Sequence, residues 1–214
     1  MDRQKLDRLV ELGTATIYEA SGREGLIDLP LIQVIPKSRV AGSARTVLCG
    51  QGDNVMVHAA IEHIQPGEVV VLAMPGSEPV ALIGDLLVTQ MKVHGASGVL
   101  TNSSVRDFEM LQAIGLPIWT EFVRVRGATK NNYGRLNVPV AIGGTIVYPG
   151  DIVVMDADGA VAIKLHRLDE VLEKAEARAA KEEAMRQRYL NGERSFDSRG
   201  WREGLEENMR LRGE

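Results

Sequence analysis

Two short stretches of the sequence carry groups that could bind an anion and a divalent cation. The first, Gly84-Asp85-Leu86-Leu87, follows the apolar run Val80-Ala81-Leu82-Ile83 and is expected to begin a helix. A helix start presents free backbone N–H groups and the positive end of the helix dipole, and both favour an anion such as a substrate carboxylate. The simpler interpretation is that Asp85 only caps its helix, and for an isolated Gly-Asp pair that interpretation is preferred.

The second stretch is the pair Arg106-Asp107. It is expected to start another helix, after a strand that ends at Thr101 and a polar loop, Asn102-Ser103-Ser104. Both side chains should therefore lie at the carboxyl end of a strand, where ligands commonly bind in α/β sheets. Arginine offers a planar fork for a carboxylate or enolate oxygen, and aspartate offers a hard oxygen ligand for Mg²⁺ or Mn²⁺. The alternative is a surface ion pair beside a helix-capping carboxylate.

Other routes to catalysis have less support. The sequence has no Gly-rich phosphate-binding loop and no GxSxG elbow, so nucleotide hydrolysis and serine esterase chemistry are not indicated. Lys92 could form a Schiff base, but it falls inside a predicted helix, and lysines mostly face solvent. The four histidines lack zinc-ligand spacing and are interpreted mostly as structural or surface residues: His58, His63, His94 and His166.

Composition narrows the class of protein further. The 214 residues suffice for one substantial domain with an appended element, and 44% of them are hydrophobic. The net charge of −4 gives no electrostatic case for a nucleic-acid partner. No stretch approaches the ~18 consecutive apolar residues of a membrane span, and no hydrophobic signal core follows the N-terminus. The single Cys49 lies in an apolar run, so we expect a buried, inert thiol. Because one cysteine cannot form a disulfide within the chain, we expect a cytoplasmic protein, without a membrane partner.

The first third of the chain is predicted to contain two helices, two strands and a third helix. An amphipathic helix runs from Arg3 to Leu12 and is closed by Gly13, after which Thr14 is expected to cap a helix that ends at Gly22. The β-branched runs at 32–35 and 40–47 predict strands. The third helix is expected to start at Asp53 or Asn54 and to run to Gln65.

The middle of the chain alternates strands and helices, which is typical of a layered α/β domain. The predicted strands are 69–73, 98–101 and 116–119, the predicted helices are 85–94 and 106–114, and residues 138–164 are strand-rich. From 167 to 189 the composition changes to that of one long charged helix, followed by a tail of weak periodicity. We therefore expect an α/β core at 1–166 and a C-terminal helical extension at 167–214.

With these pieces in place, the chain resembles the 4-hydroxy-4-methyl-2-oxoglutarate and 4-carboxy-4-hydroxy-2-oxoadipate aldolases, a family that shares its fold with the regulator-of-ribonuclease-E proteins. The resemblance covers nearly the whole length, and the order and spacing of its motifs are specific for the superfamily. Besides the two stretches above, it is carried by Gly52-Asp53-Asn54, Gly95-Ala96-Ser97-Gly98, Leu116-Pro117-Ile118-Trp119, Asn137-Val138-Pro139 and Pro149-Gly150-Asp151.

The resemblance implies a fold and a set of site residues. The implied fold is a layered ββα-type swivelling α/β domain with mixed sheets and a C-terminal helical extension. The implied substrate-binding residues are Gly84, Asp85, Leu86 and Leu87, together with Arg106. Asp107 would bind Mg²⁺ or Mn²⁺, and Asp85 would position a catalytic water.

The family chemistry implied is metal-dependent cleavage of a 2-oxo acid to pyruvate and a second oxo acid. The cleavage leaves a pyruvate enolate that Arg106 and the metal stabilise, and the same site would decarboxylate oxaloacetate as a side activity. Aldolase members also carry a glutamate on a C-terminal extension that reaches a neighbouring subunit. Glu182 is the best match, which implies a homotrimer or homohexamer with a catalytic role for this residue, whereas Glu183 is interpreted as solvated.

Three departures from the family pattern keep alternatives open. Asn102 stands where an Asp is usual, which would replace a negative charge near the metal by an amide. Arg194-Ser195-Phe196-Asp197 replaces a stretch that usually resembles Leu-Gly-Leu-Asp, and Lys164 replaces a frequent Pro, a change expected to be structurally neutral. The alternatives to the aldolase are a non-catalytic binding protein like the ribonuclease regulators and a related lyase that acts on another hydroxy-oxo acid.

Overall fold

A mixed sheet flanked by helices forms the framework of the protein. The structure, a computed structural model, describes residues 2–213. Its helices are α1 (Arg3–Leu12), α2 (Thr14–Ala20), α3 (Val55–Ile61), α4 (Asp85–Val93), α5 (Phe108–Ile114), α6 (Leu168–Leu190), α7 (Ser195–Ser198) and α8 (Trp201–Arg212), with a 3₁₀ turn at Leu165–Arg167. Its strands are β1 (Leu26–Ile27), β2 (Ile32–Gln33), β3 (Val40–Leu48), β4 (Val69–Ala73), β5 (Ala81–Ile83), β6 (Gly98–Val105), β7 (Ile118–Val123), β8 (Arg135–Leu136), β9 (Val140–Ile142), β10 (Thr145–Val147), β11 (Ile152–Asp156) and β12 (Gly159–Ile163).

The large sheet combines parallel and antiparallel strands. Its order is β1-β12-β11-β3-β4-β6-β7-β2, with β5 added to β6 and β8 added to β3. The pairs β3–β4, β4–β6, β5–β6 and β6–β7 are parallel, whereas β1, β2, β11 and β12 pair antiparallel. Because parallel strands end at the same edge, the loops after β5, β6 and β7 lie close together.

Both faces of the parallel strands are covered. All five residues of β4 are buried, as expected for a strand between two packed layers. On one face Val99 packs in a cluster with Val88 of α4 and Leu111 of α5, and on the other Leu100 packs with Trp119. This layered, mixed α/β arrangement confirms the predicted fold class.

Strand β6 is longer than the sequence indicates. Residues 102–104, expected to form a polar loop, continue the strand and are buried. Burial is possible because the polar atoms find partners: the Asn102 amide accepts from Met74 N at 2.9 Å and donates to Met74 O at 3.0 Å. The hydroxyls of Thr101 and Ser103 share a hydrogen bond of 2.7 Å. The loop prediction was therefore wrong, and the strand reaches the residue before Arg106.

Several predicted boundaries also shift. Helix α5 begins at Phe108 rather than at Arg106, and α3 ends at Ile61 rather than at Gln65. Thr14 is the first residue of α2 instead of its cap, because its hydroxyl donates to the buried carboxylate of Asp156 at 2.6 Å. Helix α1 has the predicted bounds, and α6 begins and ends one residue after its prediction.

The structure bears on two further expectations from the sequence, one for Cys49 and one for Lys164. Cys49 is 1% exposed, which confirms that its thiol is buried, and burial, with the nearby charge of Asp53, raises the pKa of the thiol to about 12. The presence of Lys164 in place of the usual Pro was expected to be structurally neutral, but this lysine makes contacts that a proline could not make. Its ammonium donates to Asp151 at 2.8 Å and stands 4.3 Å from the centre of the Tyr148 ring.

The chain divides into two units after Ala175. In the first, α6 buries Leu168, Val171 and Ala175. In the second, the weakly periodic tail forms α7 and α8, neither of which has a buried residue. Within residues 2–213 none of the helices combines the length and the apolar character of a membrane span.

Candidate active site

The two stretches singled out by their chemistry lie next to each other. Gly84 follows β5 and forms the N-cap of α4, while Arg106 and Asp107 follow β6, the parallel neighbour of β5. The backbone N–H of Arg106 donates to the carbonyl of Ile83 at 3.2 Å, which ties the two strand ends together. The structure thus gathers a helix start, a guanidinium and a carboxylate at one edge of the sheet.

Asp107 adopts an unusual backbone conformation. It is the N-cap of α5 with φ 60° and ψ 39°, in the left-handed region that aspartate tolerates better than most residues. This geometry directs its Oδ2 to 3.3 Å from the backbone N of Asp85 and 3.5 Å from Nε of Arg106. Such conformations persist where surrounding structure enforces them, and they concentrate at functional sites.

Gly84 makes room for this cluster. A Cβ at this position would stand 2.3 Å from Oδ2 of Asp107 and 3.2 Å from Cγ and Nε of Arg106. Gly127 is a second close approach, where a Cβ would stand 3.0 Å from Nη1 of Arg106. A side chain at position 84 would therefore have to displace the Asp107 carboxylate, and glycine lets the pair approach the first turn of α4.

We predict that Gly84→Ala lowers kcat/KM for the 2-oxo acid cleavage that the family resemblance implies by about 100-fold or more. The new methyl group must displace Asp107 or Arg106, and misplacing such groups by about 1 Å is that costly. The thermal midpoint should change by only a few degrees. Steady-state kinetics and circular dichroism measure the two effects. Gly76→Ala is the matched control, since its Cβ would meet nothing closer than 3.8 Å; equal activity of both variants would contradict the role of the close approach.

A pocket of about 240 Å³ opens beside the cluster. Gly84, Asp85, Leu86 and Leu87 line it together with Arg106, so all the predicted substrate-binding residues face one cavity. Asp107 is not among the residues that line the pocket, but it contacts two of them, Asp85 and Arg106. Its side chain is 36% exposed.

Three further polar residues line the same pocket, and the sequence analysis assigned none of them to the site: Asn54, His58 and Lys130. The Asn54 amide donates to the carbonyl of Leu82 at 2.8 Å, whereas its Oδ1 is buried and has no hydrogen-bond partner among residues 2–213. Buried acceptors without partners are uncommon in proteins, and this one lies in a residue of the pocket lining. His58 is exposed, which agrees with its interpretation as a surface residue, and it borders the cavity.

The structure also places the remaining candidates. Lys92 donates to the carbonyl of Ile114 at the end of α5 and does not line the pocket. Asn102 is 5% exposed and bonded to Met74, so its amide does not border the pocket either. Glu182 belongs to the second unit, where its carboxylate pairs with Arg178 at 2.8 Å.

A larger pocket of about 440 Å³ lies elsewhere in the first unit. Its two cationic residues are already engaged by carboxylates, Lys164 by Asp151 and Arg167 by Glu24. Since the smaller pocket combines the Arg106 guanidinium and the Lys130 ammonium with the start of α4, we place the candidate site there.

The residues at this site fit a weakly held, largely hydrated divalent cation. Within residues 2–213 no group of three or more His, Cys, Asp or Glu side chains could enclose a metal. Mg²⁺ commonly binds through one or two carboxylates and keeps several waters. A single, partly exposed Asp107 carboxylate matches that mode and does not match a tight, all-protein cage.

Asp53 supports the pocket from outside. It is 0% exposed, yet its carboxylate accepts hydrogen bonds from Val55 N at 2.8 Å, from the Thr129 hydroxyl at 2.6 Å and from the backbone N–H groups of Asn131 and Asn132 at 2.7 and 3.0 Å. Burial by itself raises the pKa of Asp53, but these four donors outweigh it and lower the pKa to about 2.

We predict that Asp53→Asn lowers the free energy of unfolding by about 2–3 kcal/mol at pH 7, because an amide cannot accept from all four donors. The lowered pKa of Asp53 determines how its contribution to stability changes with pH. The stabilisation is complete above the ordinary Asp pKa of 3.8 and declines as the pH falls toward about 2, because the unfolded chain then takes up the proton first. Urea unfolding between pH 7 and 2.5 should show the two proteins converging, and a constant difference would contradict this assignment.

Comparisons with known proteins agree with this architecture. A profile of the family described as RraA-like, Aldolase/RraA, matches residues 14–162. A Halalkalibacterium halodurans protein named as a candidate 4-hydroxy-4-methyl-2-oxoglutarate aldolase is 34% identical over 187 residues, 86% of this chain and 89% of that protein.

Solved structures show the same fold. Streptomyces coelicolor RraAS2, described as an unusual member of the RNase ES inhibitor RraA family, is 26% identical with a TM-score of 0.76, covering 87% of this chain and 97% of that one. An uncharacterised protein of Pseudomonas syringae pv. tomato gives a TM-score of 0.83 at 24% identity, covering 93% and 94% of the two chains, and this likeness concerns the fold alone.

A mixed sheet with a guanidinium, a carboxylate and a helix start gathered at its parallel strand ends defines an α/β protein with a candidate small-anion site. The chain belongs to the RraA-like family, as the motif order predicted. Proteins similar to it include one named as an aldolase and one described as a member of a ribonuclease-inhibitor family, so the family alone does not decide between catalysis and regulation.

Proposed function

We propose that this protein is a divalent-metal-dependent aldolase. It would cleave 4-hydroxy-4-methyl-2-oxoglutarate or 4-carboxy-4-hydroxy-2-oxoadipate to pyruvate and a second oxo acid. The observation that carries this proposal is the meeting of Arg106 and Asp107 with the first turn of α4 across the space left by Gly84. The aldolase-named relative, at 34% identity over most of both chains, supports the same choice.

Arg106 and the α4 start would hold the 2-oxo acid end of the substrate. A planar guanidinium can donate two parallel hydrogen bonds to a carboxylate, and the first-turn amides add partial positive charge. When the C3–C4 bond breaks, its electron pair moves to the 2-oxo group and leaves an enolate. Arg106 lies where it can stabilise that developing negative charge.

Another part of the pocket lining would receive the rest of the substrate. Lys130 supplies a positive charge for the second carboxylate. The C4 hydroxyl must lose its proton before the bond breaks, and C3 of the enolate must then gain a proton to give pyruvate. Asp85, which is half-buried at the pocket wall, would position the water that carries this proton.

Asp107 is the residue that would hold Mg²⁺ or Mn²⁺. When bound, the cation supplies Lewis-acid polarisation of the 2-oxo acid oxygens. Because decarboxylation of oxaloacetate also passes through pyruvate enolate, the same residues would support that reaction as a side activity.

The C-terminal unit bears on assembly. We propose that Glu182 acts at the site of a neighbouring copy in a homotrimer or homohexamer, which would require its ion pair with Arg178 to be shared or exchanged. Light scattering after size-exclusion chromatography measures the subunit number, and a monomer with full activity would remove this part of the proposal.

The deciding experiment is pyruvate release coupled to lactate dehydrogenase. We expect release from 4-hydroxy-4-methyl-2-oxoglutarate with Mg²⁺ or Mn²⁺, none after EDTA treatment, and recovery when metal is returned. A panel that varies the group beyond the shared 2-oxo acid would identify a related lyase with another substrate. No release from any substrate, oxaloacetate included, would eliminate the aldolase.

A ribonuclease-regulator function is the second candidate, and the likeness to RraAS2 at 26% identity favours it. It predicts inhibition of a purified ribonuclease of the E type by the purified chain without added metal. Inhibition together with an inactive pyruvate assay would select this function.

A further inference from the structure

The loop that carries Lys130 is held by one buried carboxylate. Lys130 lines the pocket, but its position on an exposed connection after β7 gives it no support from a helix or strand. Its neighbours on both sides bond to the same oxygen: the Thr129 hydroxyl and the Asn131 N–H both donate to Oδ2 of Asp53. Asp53 itself does not line the pocket.

The backbone around Asp53 reinforces this attachment. Thr129 N donates to the carbonyl of Gly52 at 2.9 Å, and Asn54 N donates to the carbonyl of Thr129 at 3.1 Å. Asp53 and Thr129 therefore form a short parallel bridge. The loop and the segment that bears Asn54 are joined on both sides of this bridge.

The loop is also pressed against the end of β3. A Cβ on Gly50 would stand 2.2 Å from the carbonyl oxygen of Asn132, and a Cβ on Gly134 would stand 1.8 Å from that of Leu48. These two glycines permit an approach that no other residue allows. The two glycines therefore determine how closely the loop approaches the end of β3. The hydrogen bonds to Asp53 determine which loop residues lie beside which residues of the neighbouring segment.

We propose that Asp53 is a positioning residue for Lys130, which it holds in the same pocket as Arg106 so that the pocket prefers ligands with two carboxylates. The proposal rests on the proposed function, since it assumes that the pocket receives a 2-oxo acid. A flexible lysine side chain carries much rotamer freedom, and fixing its backbone lowers the entropy lost when it engages a carboxylate.

The experiment compares two ligands that differ by one carboxylate. With Mg²⁺ present, calorimetric titration gives the dissociation constants of 2-oxoglutarate and pyruvate for the wild type, Lys130→Met, Asp53→Asn and the double variant. The wild type should prefer 2-oxoglutarate, and each single variant should lose about tenfold or more of that preference, the worth of a charge-assisted hydrogen bond. The double variant should lose no more than Lys130→Met alone, because both changes remove one interaction.

Controls separate positioning from a general loss of folding. Asp156→Asn alters another buried aspartate that accepts from Thr14 and Asp158, and it should lower stability while leaving the ligand preference unchanged. If Asp53→Asn does not fold, Thr129→Val removes one donor and keeps the carboxylate, and it should reduce the preference in the same direction. Hydrogen exchange of the Asn131 and Asn132 amides should rise in either variant.

The possible outcomes point to different conclusions. A wild type that binds neither ligand overturns the proposed function, and this inference with it. If Lys130→Met loses the preference while folded Asp53→Asn and Thr129→Val keep the wild-type ratio, only the role of Asp53 is overturned. A parallel loss in the three single variants, with Asp156→Asn unchanged, supports it.

Discussion

Asp107→Ala is expected to lower kcat/KM for 4-hydroxy-4-methyl-2-oxoglutarate by about 1000-fold or more. A bound cation contributes several kcal/mol of charge stabilisation, and each 1.36 kcal/mol corresponds to about a tenfold change in rate. Asp107 is the carboxylate through which the chain would hold that cation. Its removal should therefore abolish the metal response of the pyruvate assay and the binding of Mn²⁺, which electron paramagnetic resonance detects.

The fold should survive this change. Asp107 is partly exposed, and its side chain makes no capping hydrogen bond to α5. Because alanine tolerates the left-handed conformation less well than aspartate, the thermal midpoint is measured beside the kinetics. Glu109→Ala removes an exposed carboxylate from the first turn of the same helix and serves as the matched control. Wild-type turnover by Asp107→Ala would refute the metal assignment.

Arg106→Lys is expected to lower kcat/KM by about 100-fold, although it preserves the positive charge. Lysine presents a compact ammonium, whereas arginine presents a planar fork that matches a carboxylate or an enolate with two hydrogen bonds. Arg106→Ala should lose more, and both variants should bind oxalate, a stable analogue of the enolate, less tightly than the wild type.

A matched exchange elsewhere tests whether the loss belongs to the site. Arg124 is exposed and donates to the neighbouring carbonyl of Val123, so Arg124→Lys should leave kcat/KM unchanged. Should Arg106→Lys retain wild-type kcat/KM, the guanidinium geometry would not matter, and Arg106 would act only as a diffuse positive charge.

The parts of the fold that depend on local periodicity could be predicted. Helix α1 and strand β4 have the predicted bounds, because an amphipathic stripe and a wholly apolar run are both visible along the chain. Strand β6 could not, since Asn102 resembles a loop residue until Met74 is known to lie beside it, 28 residues away in sequence. Burial of polar residues depends on partners that only the folded sheet brings near.

The candidate site divides in the same way. Arg106 and Asp107 could be singled out because they follow a strand, and the topology of parallel strands then brings them beside Gly84. Lys130 and Asn54 carry no comparable local pattern. They reach the pocket through the bridge at Asp53, a contact across 76 residues that periodicity does not reveal. The left-handed conformation of Asp107 was likewise hidden, because it arises from the delayed start of α5.

The buried thiol of Cys49 has a practical consequence for following this protein in solution. It is the only cysteine in the sequence, and its raised pKa of about 12 keeps it protonated and unreactive in the folded state. Because Gly50 and the loop at 129–134 cover the end of its strand, alkylation of Cys49 requires that region to open. The rate at which Cys49 is alkylated at neutral pH therefore reports how often the region beside the pocket opens. A cysteine introduced at the surface can be labelled with a fluorophore while Cys49 remains unlabelled.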